Sequence, residues 1–188
     1  MIDVKAKNID IENSKLNCTI EYPAIYIEGK NSFLEIINNN INEEINIFLD
    51  IGNESFKTYK KKSNVIVDYK IHFNKNNIMS LSILFSEIYK HKDLINYVST
   101  YNFDLNKEQI INIQDLFKKE YEYKSIIRKI LEKNIYEIQN FYIKENSINL
   151  VYSSYEIYNT KEIIEKEIKF KDIYNYLSEY TIQRIMGE

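Results

Sequence analysis

The sequence of 188 residues predicts an α+β fold, with antiparallel sheet and two to three helices on one face, in the order β-α-β-β-β-α-β-β-(β)-α. Three observations predict it. Several segments alternate apolar and polar residues, as half-buried strands do. Longer segments place apolar residues at three- and four-residue steps, as amphipathic helices do. Short turns join neighbouring strand segments, which favours antiparallel pairing with helices layered on the sheet.

The shortage of glycine and proline excludes several classes of function. The chain has 3 Gly and 1 Pro, whereas an average protein of this length has roughly 13 and 9. Because Gly29, Gly52 and Gly187 are isolated, the clustered glycines of phosphate-binding and dinucleotide-binding loops are missing. No cofactor is therefore expected. The net charge of −3, with both signs interspersed, argues against a nucleic-acid partner.

The first predicted elements are a strand and a long helix. Residues 16–22 alternate apolar and polar side chains, and Pro23 is expected to end or bend this strand. Ser32 and Glu35 form a capping box, which marks the start of a helix. The polar residues 52–63 are interpreted as a loop or a frayed helix end. The helix is predicted to run for about 18 residues, since its apolar residues have helical spacing: Phe33, Ile36, Ile37, Ile41, Ile45 and Phe48.

Three strands are predicted to follow this helix. Residues 65–73 alternate strictly, and His72 belongs to their polar set, which is expected to face solvent. Residues 74–77 have the chemistry of a turn, because Asn tolerates left-handed backbone angles. The other two strands are predicted at residues 78–89 and 94–105.

The C-terminal part is predicted to add two helices and two or three strands. Residues 115–117 open a helical region whose apolar stripe is Ile126, Ile127, Ile130, Leu131 and Ile135. Residues 141–144 and 148–157 are predicted to form a hairpin, followed by a short strand near Ile168. A final helix is expected from about Asp172, with four residues directed inward: Ile173, Tyr176, Leu177 and Tyr180. No linker divides the chain, so residues 1–188 are expected to form one domain.

Residues able to carry acid–base, nucleophilic or metal chemistry are few. Cys18 is the one cysteine, so no internal disulfide is expected. Together with His72 and His91 it offers too few nitrogen and sulfur ligands for a classical zinc site, and no metal is expected. The glycine-flanked motif that exposes a serine nucleophile is missing. A carboxylate pair for glycoside hydrolysis can still be drawn from the 28 acidic residues, so a hydrolase stays open.

Tyrosine is the most unusual feature of the composition, with 17 Tyr and no Trp. Tyrosine offers rigid apolar area with a polar tip, which suits both interfaces and sheet surfaces. Tyr152, Tyr155 and Tyr158 lie where a strand is predicted to enter a connection, and such loops often carry binding function. The sequence contains neither a signal-peptide pattern nor an apolar segment of membrane-spanning length, so no membrane span is expected.

Several short motifs resemble a bacterial family of two abutting halves, the domains of unknown function 4163 and 3298 (DUF4163 and DUF3298). The N-terminal half corresponds to about residues 15–100, and the C-terminal half to about residues 101–180. The most characteristic motifs are Ser99–Leu105 and Ile113–Phe117. Four others occur in the family's order: Tyr22-Pro23, Asn77–Leu81, Asn140–Ile143 and Tyr155–Ile157.

The resemblance implies a non-enzymatic binding or sensing module of the cell envelope. The family includes the extracytoplasmic part of a lysozyme-sensing anti-sigma factor of Gram-positive bacteria, a domain attached to peptidoglycan deacetylases, and stand-alone clostridial proteins. It implies a protein such as lysozyme, or a cell-wall glycan, as the partner. The residues that it assigns to partner contact are His91, Ser154, Tyr155, Tyr158 and Asn159.

Two loops of this chain depart from the family pattern. Relatives often carry glycine-rich or proline-rich stretches where this chain has residues 88–92 and 153–162. Two functions besides binding stay open. One is a cell-wall glycan hydrolase that uses a carboxylate pair. The other is a structural protein that self-associates through an exposed sheet edge.

Overall fold

The computed structural model describes residues 2–60, 62–89, 93–131, 140–156 and 160–188, and it confirms the α+β class. The strands are β1 (Asp3–Glu12), β2 (Leu16–Tyr26), β3 (Ser63–Lys75), β4 (Ile78–Tyr89), β5 (Asp93–Asp104), β6 (Gln109–Ile110), β7 (Asn140–Ile143), β8 (Ser147–Tyr152) and β9 (Ile164–Lys169). The helices are α1 (Ser32–Tyr59), α2 (Tyr123–Leu131) and α3 (Phe170–Ile173). Short 3-10 turns lie at Ile113–Leu116 and Tyr174–Tyr176, and a π-helical turn lies at Thr181–Met186. No helix among these residues is long and apolar enough to cross a bilayer.

The larger sheet has the order β1-β2-β3-β4-β5-β6, and one of its pairs is parallel. The expectation of purely antiparallel sheet is therefore wrong at β2 and β3, which pair in parallel from Leu16↔Ser63 to Ile20↔Val67. The reason is the length of α1, which carries the chain from the end of β2 back to the end at which β2 began. The other four pairs of this sheet are antiparallel.

The N-terminal strand β1 and the course of β2 were not predicted. β1 pairs with β2 over its whole length, yet most of its side chains are exposed, so its sequence lacks the alternation of a half-buried strand. Pro23 does not end β2, which continues to Tyr26. Pro23 lies beyond the pairing with β3, where a proline removes no hydrogen bond from a central ladder.

Helix α1 is longer than predicted, with 28 residues, and its cap is Asn31 rather than Ser32. The Asn31 side-chain oxygen accepts a hydrogen bond from the Leu34 N–H at 2.8 Å. The helix ends at Lys60, whose left-handed backbone (φ 55°) lets its N–H donate to the Phe56 carbonyl. Residues 52–59 are therefore helical, and the expectation of a loop or a frayed helix end is wrong for them.

The core of the larger sheet lies between α1 and one sheet face. The helix buries the side chains of Leu34, Ile37, Ile41, Ile45 and Phe48. Phe48 stacks on Phe85 of β4 with ring centroids 4.7 Å apart. In the C-terminal part of α1, Gly52 faces the sheet without a side chain. A Cβ at this position would lie 2.9 Å from Leu16 Cδ1 and from Val65 Cγ2. The glycine therefore permits close approach of helix and sheet.

The smaller sheet has the order β7-β8-β9 and covers a second apolar cluster. The predicted hairpin of β7 and β8 is confirmed, but β8 ends at Tyr152, and Tyr152 is fully buried. The predicted final helix is wrong as one element. The chain instead forms α3, a 3-10 turn and a π-helical turn, while Ile173 and Leu177 are buried as expected.

The two sheets meet where β7 lies on the polar face of β4 and β5. Within the described ranges no strand pairs with the outer edge of β7, and side chains of the larger sheet satisfy backbone groups on that edge. Asn102 Nδ2 donates to the Phe141 carbonyl at 2.7 Å, and the Ile143 N–H donates to Ser80 Oγ at 2.8 Å. Ser80 Oγ in turn donates to Asn102 Oδ1 at 2.6 Å. A buried polar network therefore joins the sheets.

His72 takes part in the same junction, so the expectation that it faces solvent is wrong. Its ring stacks on Tyr142 of β7, with centroids 3.5 Å apart and planes at 8°. Its Nε2 lies 2.8 Å from Ser82 Oγ. Burial, followed by the nearby charges of Lys70 and Lys144, lowers the pKa of His72 to about 4.

The lowered pKa of His72 predicts a loss of stability in mild acid. Between about pH 6.5 and about pH 4, His72 is protonated in the unfolded chain but stays neutral in the folded chain. We therefore expect the free energy of unfolding to fall by about 1–2 kcal/mol across this window, since the ring is only partly buried. Urea unfolding at both ends of the window measures it. The His72→Gln protein should lack this part of the pH dependence, and identical dependence in both proteins would refute it.

Candidate functional site

The predicted partner-contact residues fall on two segments. Ser154 and Tyr155 lie in the connection that follows β8. His91, Tyr158 and Asn159 lie outside the described residues, so their roles stay predictions. The site can therefore be built from the connection and from the strand that it contacts, β5.

Ser154 fixes the connection to the outer edge of β5. Its N–H donates to the Asn96 carbonyl at 2.9 Å, and the Asn96 N–H donates to Ser154 Oγ at 2.9 Å. The Ser154 hydroxyl donates onward to the Lys161 carbonyl at 2.5 Å. These bonds occupy the polar atoms of Ser154, so we assign it to positioning the connection.

Further hydrogen bonds hold both arms of the connection. The Val98 N–H donates to Ser153 Oγ at 3.1 Å, one step along β5 from the Asn96 contacts. The Ser153 N–H donates to Glu156 Oε2 at 2.7 Å. Asn96 Nδ2 donates to the Lys161 carbonyl at 3.0 Å. The arms are therefore tied to β5 and to each other. The edge of β5 is open to these arms because β6 pairs only with the last two residues of β5.

The side chain of Tyr155 is exposed on this connection. The Tyr155 N–H donates to the Thr160 carbonyl at 2.9 Å, while its side chain is 49% exposed. Its backbone is left-handed, with φ 63°. For a bulky residue this conformation costs roughly 1–2 kcal/mol, and the surrounding hydrogen bonds must maintain it.

Ile95 and Tyr97 flank Asn96 along β5, and their side chains are also exposed, at 49% and 44%. The Tyr97 ring packs edge-on against Phe48 at 6.0 Å, which fixes its orientation. Burial, then the carboxylates Glu44 and Glu156, raise the pKa of Tyr97. We call Ile95, Tyr97, Tyr155 and Glu156 the β5 ledge. The sequence pattern did not identify Tyr97 as an exposed residue, because the alternation of side chains along β5 is equally typical of a strand whose faces are covered.

The chemical groups of the described residues offer little for catalysis. Ser82 and His72 have the contact of a nucleophile and a base, at 2.8 Å. The low pKa of His72 makes it a weak base near neutral pH, however, and the stacked Tyr142 ring explains its position. Within the described ranges, no group of three or more His, Cys, Asp and Glu residues could hold a metal ion. Cys18 is buried, and burial followed by Asp10 raises its pKa to about 11.

Comparison with known proteins identifies the fold. A crystal structure of a DUF3298 family member from Bacteroides fragilis is similar with a TM-score of 0.63 and 13% identity, covering 100% of this chain and 98% of that one. A DUF3298 family protein from Pseudomonas aeruginosa is similar with a TM-score of 0.60 and 7% identity, over 95% and 94% of the chains. No protein-family model and no curated protein matches the sequence. The predicted resemblance to the DUF3298 family is confirmed at the level of the fold.

Proposed function

We propose that this chain is a non-enzymatic binding module of the cell-envelope type, which contacts a protein or a glycan through the β5 ledge. One observation carries the proposal. The connection is tied to β5 through Ser153 and Ser154, while the side chain of Tyr155 is exposed on it. The envelope context is supported by the resemblance to the DUF3298 family, an uncharacterised family whose fold this chain shares.

The chemistry of the ledge supports binding. Tyrosines present a large rigid surface with few rotatable bonds, so little conformational entropy is lost when a partner covers them. The hydrogen bonds of the connection are made before binding, which reduces the ordering cost further. The carboxylates Glu44 and Glu156 beside Tyr97 add a negative rim that orients a partner carrying complementary charge.

Affinity measurements with two exposed-tyrosine variants test the proposal. The purified chain is titrated with lysozyme and with muropeptides, and then compared with the Tyr97→Ala/Tyr155→Ala protein. We expect the double variant to bind roughly 100-fold more weakly, if each ring contributes about 1.4 kcal/mol. Tyr26→Ala is the matched control, because Tyr26 is 44% exposed but lies on β2, three strands from β5. It should bind as the parent does.

Two outcomes would contradict the proposal. Equal affinity of the double variant and the parent would remove the ledge as the contact surface. Failure of both classes of probe to bind would remove the ligand assignment.

Two other results would favour the alternative functions. Cleavage of muropeptides by the purified chain would favour the hydrolase alternative. Light scattering that shows dimers or larger species would favour self-association, although Lys5, Lys7, Asp10 and Glu12 on the edge strand β1 disfavour edge pairing.

A further inference from the structure

A second concave surface lies in the C-terminal part of the chain, apart from the β5 ledge. It is a groove of about 910 Å³ between the 3-10 turn at Ile113–Leu116, the segment 117–123 and the segment 178–180. This volume is within the range of small-molecule sites. We call it the Tyr121 groove, after the most exposed aromatic residue of its lining.

The floor of the Tyr121 groove is rigid. Phe117 and Leu177 form an isolated antiparallel bridge. The Ser178 N–H donates to the Leu116 carbonyl at 2.9 Å, and the Lys118 N–H donates to the Tyr176 carbonyl at 2.9 Å. The two segments that form the groove are therefore held together by main-chain hydrogen bonds, and the shape exists before any ligand arrives.

Aromatic rings form the walls of the groove and support one another. Tyr121 is 42% exposed and packs edge-on against Tyr176, with centroids 5.1 Å apart and planes at 90°. Tyr180 is held on the other side, because its hydroxyl donates to the buried Asp104 at 3.0 Å. Lys107 Nζ lies 4.0 Å from the centre of the Tyr180 ring. Tyr121 is therefore a partly exposed ring that lines the groove and is held in place by Tyr176.

The polar groups of the groove are balanced in charge. Three lysines and four carboxylates line it, together with the side-chain amides of Gln109 and Gln114. Lys118 Nζ donates to the Asn175 carbonyl at 2.9 Å, so this cation is already engaged. Neither a phosphate nor a multiply charged cation matches this balance, whereas a neutral ligand with many hydroxyl groups does.

We propose that the Tyr121 groove binds a neutral oligosaccharide. Pyranose rings have one flat face of C–H groups, which stacks on an aromatic ring, and hydroxyls at the rim, which exchange hydrogen bonds with amides and carboxylates. Tyr121 supplies the stacking surface, and Gln109, Gln114 and Asp115 supply the polar partners. This site shares no residue with the β5 ledge, although both proposals allow a glycan as the ligand.

Chemical-shift mapping of the whole chain with chitotetraose and cellotetraose tests the assignment. We expect at least one of the two sugars to give saturable shifts at the backbone amides of residues 114–123 and 178–180. We expect a Kd of about 0.1–1 mM, as weak stacking sites have. Tyr121→Ala should weaken binding about 10-fold or more, and Tyr121→Phe should bind nearly as the parent does, because it keeps the ring.

Two controls separate this site from the rest of the surface. Tyr174→Ala removes a ring that is 41% exposed and lies outside the groove, and it should leave sugar affinity unchanged. Tyr155→Ala should also leave it unchanged, whatever it does to a partner of the β5 ledge. The proposal is overturned if neither sugar gives saturable shifts up to about 10 mM. It is also overturned if the shifts map outside the groove, or if folded Tyr121→Ala binds as the parent does.

Discussion

Replacing Asn102 with alanine is expected to lower the free energy of unfolding by about 3 kcal/mol. Asn102 is 4% exposed, and its amide bonds both the Phe141 carbonyl of β7 and the Ser80 hydroxyl of β4. The variant would leave a buried carbonyl and a buried hydroxyl without these partners, and each such loss costs about 1–3 kcal/mol. Denaturant unfolding measures the loss.

Asn17→Ala is the control for the Asn102 variant. Asn17 is exposed and makes one side-chain bond, to Asn64 at 3.2 Å, so its loss should cost no more than about 0.5 kcal/mol. Hydrogen exchange adds a second test. Relative to the parent, the Asn102 variant should speed the exchange of the β7 amides more than that of the β3 amides. Equal stability of the two variants would mean that the network between the sheets contributes little.

Replacing Gly52 with valine is expected to cost a similar amount, about 3 kcal/mol. The new Cβ would lie 2.9 Å from Leu16 Cδ1 and from Val65 Cγ2, so these buried side chains or α1 itself would have to shift. Valine also gains little helix propensity over glycine to offset this strain. Thermal or denaturant unfolding measures the loss.

Two further variants separate steric strain from helix propensity. Gly52→Ala should lose less than the valine variant, because its better helix propensity offsets about 1 kcal/mol of the strain. Asn53→Ala changes the next, exposed position of the same helix and should be neutral or slightly stabilising. A Gly52→Val protein as stable as the parent would show that α1 and the sheet do not pack this closely.

The sequence predicted the elements whose side chains alternate between core and solvent. β3, β4 and β5 were located to within a few residues because one face of each is buried under α1 or beside it. β1 was missed because it lies at the sheet edge with few buried side chains. The parallel pairing of β2 with β3 depends on where α1 delivers the chain, and local periodicity does not specify that.

The site was predicted only in part, for a related reason. Tyr155 was identified from its place after a strand, and the structure has it exposed. The partner contact of Ser154 stays a prediction, and the structure shows its atoms bonded to Lys161, seven residues away, and to Asn96, which is 58 residues away in sequence. Tyr97 is 44% exposed on β5, and β6 pairs only with the last two residues of that strand, which leaves the edge of β5 near Asn96 to the connection. Such long-range pairing has no signature in a local pattern.

Hydrogen–deuterium exchange of the chain, with and without saturating lysozyme or muropeptide, tests the binding surface most directly. We expect added protection at residues 95–98 and 153–156, the strand and turn that form the β5 ledge, with little change along β1. The same protection should be lost in the Tyr97→Ala/Tyr155→Ala protein at equal ligand concentration. Protection that instead follows β1, or a protection map that the double variant leaves unchanged, would contradict it.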